Sequence, residues 1–567
     1  MKSGKLKVNI LGFPFFFFLL LLATTASAQH AAHVVPQIPQ ELLERPVTIR
    51  AGIGSVHEDA GAKSAEAQRF YDQGLAYLHN YVWIEAARSF NQALRLDANL
   101  ALAQAGLSYA YVELNKPAQA RDAIAKAQAL AAKSTDHVKR HVNARALQMG
   151  AEDAPGDTSK LAAYRKELDA AIAAFPNDAE FLLRRGIAES PDPADRGQGS
   201  VTGSIPYYER VLKLSVPSAA LGSSAPSAAL GSSAPSAALA SSAPFAAHHF
   251  LAHAYENSGR AKEAATEAAA YAAAAASVPH AVHMHGHELR RLGRITEAIA
   301  RFEAADKLQR DYLAREKIAP EFDWHLAHNL DLLAASYQYT GQMKKAEALL
   351  KQSFAIPTNL LVQGVNKREW PAFLLARNRP AEALAAAQAL LTHPNQVMQA
   401  TGHIEAGFAQ LAMNRPADGA QSSNAALRAL RAAPAGQGLA AIELEALQGE
   451  FLLRTAQRDK GRAAMERAAQ KWRGLPGPDA WTQALFRLEA LARTARSVGD
   501  WSFAARMAQV MLEHDPNYAG THFALALVAQ HDGNAQTARR EAELAAKAWA
   551  SADQDLAELK IISDLRR

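Results

Sequence analysis

The chain contains no cysteine in its 567 residues. That absence removes disulfides, thiol nucleophiles, thiolate metal sites and a lipid-modified N-terminal cysteine. Aromatic residues make up only 7% of the chain, and β-branched residues are sparse beside alanine. Helix is favoured throughout, because alanine is the best helix former and lets helices pack closely. No HExxH, GxSxG or P-loop sequence occurs. The nearest approach is HGHEL at 285–289, which lacks the second histidine. These absences argue against an enzyme. A metal-dependent hydrolysis with Glu256 as base remains the lesser alternative.

A long apolar run occurs at the N-terminus. Lys2, Lys5 and Lys7 precede FPFFFFLLLLA, and Ala26-Ser27-Ala28 follows as a small-residue cleavage site. Residues 1–28 therefore read as an export signal cut after Ala28, leaving a periplasmic or secreted chain with no transmembrane segment. Three lysines leave with the signal, so 58 basic residues face 56 acidic ones, a net charge of +2. So small a balance gives no case for nucleic acid or an anionic membrane as partner.

What remains is too long for one compact core unless it is built of stacked units. Residues 29–63 are rich in proline, glycine and polar residues and read as an extended arm on the first helices. Helical repeats are expected over 64–216, with Phe70, Gly74, Tyr77, Ala86, Phe90 and Ala93 at spacings that resemble the tetratricopeptide pattern. Residues 217–244 hold a nine-residue tandem, PSAALGSSA twice and then PSAALASSA, too small and polar to build a core. Histidine-rich units occupy 245–356, less regular units 357–475, and regular ones return over 476–567. The expectation is an all-α, tetratricopeptide-repeat right-handed superhelical solenoid with a concave groove.

Four segments in order, YDQGLAYLHNYVWIEAARSFNQALRLD, HHFLAHAYE, HAVHMHGHELRRLGR and HNLDLL, carry a closer likeness. Over roughly residues 60–360 the chain resembles a bacterial family of exported tetratricopeptide proteins with HxxxHAxE, HMxxHxxxRxG and HN motifs. The resemblance implies the fold and the motif order, and no reaction. The chain departs from it in the tandem before HHFLAHAYE and in Asp331, which follows the HN pair where a bulky residue or histidine would be expected.

Nine of the 20 histidines fall between His248 and His328. His249 and His253 are four apart, as are His283 and His287, and the second pair follows the first by 34 residues. One helical turn separates the members of a pair, so each pair shares a face. With units starting at 245, 279 and 327, both pairs occupy positions 5 and 9. His280 and His328 take position 2, Asp331 position 5, and Glu256 and Arg290 position 12. All lie on one stripe, which in tetratricopeptide folds faces the groove, while His248 and His285 fall on the packing stripe. Three readings follow. The stripe shapes a polar groove for a protein or peptide partner. His249, His253, His283 and His287 bind a divalent metal such as zinc, copper or nickel. Or the imidazoles and Arg290 hold an acidic ligand.

Overall fold

The computed structural model describes residues 36–214, 243–358, 360–433, 438–455, 457–475 and 480–567. The expected signal and residues 217–242 of the tandem lie outside the described residues. Every regular element among those described is a helix, and most helices pair as antiparallel hairpins stacked side by side. The chain is an all-α tetratricopeptide-repeat solenoid. Helices Ala65–His79 and Trp83–Leu96 form the first hairpin, and Ala101–Glu113 with Pro117–Ala131 the next. Pro244–Asn257 with Ala261–Ala274, Pro279–Arg291 with Ile295–Glu316, and Trp324–Tyr339 with Met343–Ala355 form the central three.

The turns inside the central three hairpins are built one way. Gly259, Gly293 and Gly341 have φ of 74°, 74° and 79°, and the residue after each returns a hydrogen bond five residues back, as Arg260 N does to Tyr255 O. This left-handed helix stop suits glycine or asparagine. Residue 81 occupies the same place in the first hairpin and is a tyrosine, with φ of 59°. A bulky residue there is strained, and such strain persists where the surroundings hold it.

Small residues set the spacing between helices. A Cβ on Gly74 or on Gly106 would lie 2.5 Å from the Phe90 ring, so the two glycines clasp that ring from adjacent units. Within residues 36–63 only Gln40–Glu44 is helical; Arg50 pairs with Glu316 at 2.8 Å, and Gly52 O accepts from Ser277 N at 2.8 Å. The arm thus ties the first unit to the central ones. The C-terminal units also return to the centre. Trp549 Nε1 donates to Tyr339 O at 3.2 Å, and Arg291 lies over the Trp481 ring at 5.7 Å. No described helix is long and apolar enough to cross a membrane.

Candidate metal centre

Three successive first helices carry the histidines. Pro244–Asn257 presents His249, His253 and Glu256; Pro279–Arg291 presents His280, His283, His287, Glu288 and Arg290; Trp324–Tyr339 presents His325, His328 and Asn329. The row is not an open groove wall. His249 and His283 are 0% exposed, and the rest of the row, Glu256 and Arg290 included, is buried, with His328 the most open histidine at 7%. Asp331 alone of the expected stripe is half-buried, beside a small pocket that it lines with His328.

What seals the row is distant in sequence. The turn after Ala65–His79 inserts into it, with the Tyr81 ring 4.7 Å from His249 and 5.1 Å from His280. Trp324 Nε1 donates to Tyr81 O at 2.9 Å, and its ring stacks on Trp83 at 5.3 Å. The strain at Tyr81 is thus held by the histidine chamber it closes. The stripe assignment also reverses at two positions. His248 and His285 are only half-buried, and His248 Nδ1 bonds to Glu267 at 2.6 Å. The stripe expected to face solvent is the one the first unit covers.

Inside the chamber the histidines form two triads. His249, His253 and His280 each offer one ring nitrogen within 4.8 Å of the others, and so do His283, His287 and His328. Each 5/9 pair is therefore completed by the position-2 histidine of the following unit. The expected four-histidine set is divided between the two triads, because neighbouring first helices are offset along their axes and position 2 of one unit comes level with the pair before it.

Fixed acceptors set the tautomers. His249 Nδ1 donates to His79 O at 2.8 Å, which leaves Nε2 unprotonated to accept from His280 Nε2 at 3.1 Å. His283 Nδ1 donates to Asn329 Oδ1 at 2.8 Å, and that amide is held because its Nδ2 donates to Phe302 O at 3.0 Å. His325 Nδ1 meets Gln309 Oε1 at 2.9 Å. Such outer partners on Nδ1 turn Nε2 inward as a ligand. His253 differs: buried to 1% exposure, it has no hydrogen-bond partner at either nitrogen among the described residues. Buried polar atoms are nearly always satisfied.

Burial keeps these imidazoles neutral, the form that binds metals. It pushes His253 down to about 3, with His283 and His328 adding repulsion, and His328 down to about 4. Burial first, and neighbouring histidines second, hold His249, His280, His287 and His325 well below the usual range. Beside the triads, burial and the adjacent Glu256 carboxylate raise Glu288 well above its usual value. Arg291 Nη1 stands 3.5 Å from Glu256. A cavity of about 450 Å³ lined by Arg50, Tyr81, His280, Trp324 and His325 leads from the arm to the chamber.

Sequence reasoning missed His325 and Glu288, although HLAH and HGHEL show both beside residues that were chosen. It also missed a separate cluster of Glu58, His137, His141 and Asp178, whose HVKRH carries the same four-residue histidine spacing.

No known family matches the chain, and neither does any curated protein. Among solved structures, yeast Tom70 is similar at 13% identity and a TM-score of 0.32, over 88% of this chain and 95% of that one. The Cut9–Hcn1 hetero-tetramer of APC/C is similar at 9% identity and a TM-score of 0.30, over 89% of this chain and 97% of that one. Neither likeness bears on function.

Proposed function

We propose that this chain is an exported metal-binding repeat protein. His249, His253 and His280 hold one divalent transition-metal ion, and His283, His287 and His328 hold a second. The reading rests on His253, a buried imidazole with two unsatisfied nitrogens set among neutral, pre-oriented neighbours. An all-imidazole donor set suits copper, zinc or nickel and disfavours magnesium or calcium. Three protein ligands leave at least one position open on each ion, and the cavity beside His280 gives water or a small ligand a route to the first. A peptide cannot lie on these histidines while the Tyr81 turn covers them, so any protein partner docks elsewhere on the solenoid. Export rests on the sequence of residues 1–28, and it places the site where thiol ligands do not compete.

The test is elemental analysis of the purified mature chain, before and after loading with zinc, copper or nickel. The triads should account for two equivalents, and either His253→Gln or His287→Gln should bind one equivalent fewer than the wild type. Wild-type metal stoichiometry in both variants, or a wild type that takes up no metal under any loading, would sink the proposal.

A further inference from the structure

Outside the triads, four side chains from three segments converge on one point. Glu58 comes from the N-terminal arm, His137 and His141 lie one turn apart on Asp136–Glu152, and Asp178 caps Ala179–Ile187. Asp178 Oδ1 accepts from Phe181 N at 2.9 Å, which turns Oδ2 toward the histidines. The rings are positioned too: His141 stacks on Phe181 at 3.7 Å, and His137 stands edge-on to Phe175 at 5.0 Å.

Both histidines approach through Nε2. His137 Nε2 is 2.6 Å from Asp178 Oδ2 and 3.0 Å from Glu58 Oε1. His141 Nε2 is 3.1 Å from Asp178 Oδ2 and 3.6 Å from Glu58 Oε1. The two nitrogens are 3.2 Å apart. Hydrogen bonding alone would separate two donors that share two acceptors. A tetrahedral ion with bonds of about 2.0–2.1 Å instead draws its four donors to about 3.3 Å from one another. Five of the six edges here run from 2.6 to 3.6 Å. Two carboxylates and two neutral imidazoles balance the charge of a divalent ion, so burial costs less than it would for an unpaired charge. One side opens onto a cavity of about 740 Å³ lined by Glu58, His137 and Asp178.

We propose that Glu58, His137, His141 and Asp178 bind one divalent ion of zinc-like chemistry, separate from the histidine triads, which clasps the N-terminal arm to the helical stack. The bare ion-pair cluster of two imidazolium and two carboxylate groups is the competing state.

Cobalt(II) is the probe. Chelator-stripped full-length protein is crystallised with cobalt and its anomalous difference map is calculated at the cobalt edge. A peak bonded to both Nε2 atoms and to the Glu58 and Asp178 carboxylates is expected; an ordered cluster with no peak overturns the proposal. In solution, Asp178→Asn keeps a helix-capping side chain, while His141→Gln removes one ligand. Each variant should bind one equivalent of cobalt fewer than the wild type, whereas His253→Gln should leave this equivalent intact. Wild-type cobalt stoichiometry in both cluster variants, with unchanged helical content, would overturn it as well.

Discussion

His249 Nδ1 donates its proton to the backbone carbonyl of His79, 170 residues earlier in the chain, at 2.8 Å. A backbone acceptor cannot be removed by substitution, so the tautomer of this histidine is secured by the fold itself. The same bond makes the first hairpin turn part of the chamber wall.

The other triad depends on a side chain for that service, and this gives the first prediction. Asn329→Leu removes the acceptor for His283 Nδ1 while keeping comparable volume. Metal affinity at the His283 triad should fall by about 10- to 100-fold, with the His249 triad unaffected. Calorimetric titration with zinc should resolve one site weakened relative to the wild type and the others unchanged; an isotherm identical to that of the wild type would refute the role of Asn329.

Acid should act on the apo-protein through the buried histidines. The folded-state value of His253 is pushed down to about 3, whereas an unfolded histidine titrates near 6.5. Between these limits the unfolded chain binds the extra proton, so the wild type loses stability as pH falls from about 6.5. His253→Gln lacks that proton. Its melting temperature relative to wild type should rise steadily as pH drops toward 4, by the equivalent of about 1 kcal/mol per pH unit. A difference that stays constant with pH would show that His253 titrates normally.

Glu288 gives the opposite sign. Its folded-state value is raised by burial and by Glu256, so the folded chain keeps a proton that the unfolded one has lost. That contribution is present in full below about 4.5 and declines as pH rises through the folded value. Glu288→Gln carries no such dependence. It should melt close to the wild type at pH 5 and above it at pH 8, and thermal scans at the two values would check this.

At the turn, Tyr81→Asn relieves the strain of a tyrosine at φ 59°, worth about 1 kcal/mol. It also deletes a buried ring packed on His249, His280 and Trp324. Loss of such a ring costs about 3–5 kcal/mol, so a net loss of about 2–4 kcal/mol is expected. Chemical denaturation measures it. The variant should also let the chamber histidines react with diethyl pyrocarbonate faster than in the wild type.

Much of the architecture was legible because a repeat is a local pattern. The 34-residue offset of the histidine pairs, the glycine at each of the central hairpin turns and the residues clasping Phe90 all follow from spacing within a unit or between adjacent units. The site was legible only as far as one helix reaches. Positions 5 and 9 could be read as a face, but nothing in HHFLAHAYE announces that residues 79–83 will cover it. For that reason the packing and open stripes were exchanged at His248 and His285. The same limit hid the Glu58 cluster: its histidine pair is visible in HVKRH, while its carboxylates come from the arm and from a helix cap.

The position-2 histidine gives the triads an unusual arithmetic. Two ligands belong to one unit and the third to its successor, so a site resides in the junction between units. Three units in register create two junctions, and Asp331, at position 5 of the third, ends the series. Ion capacity would then grow or shrink by one whenever a unit is duplicated or excised, and grafting a single unit elsewhere would transfer no complete site.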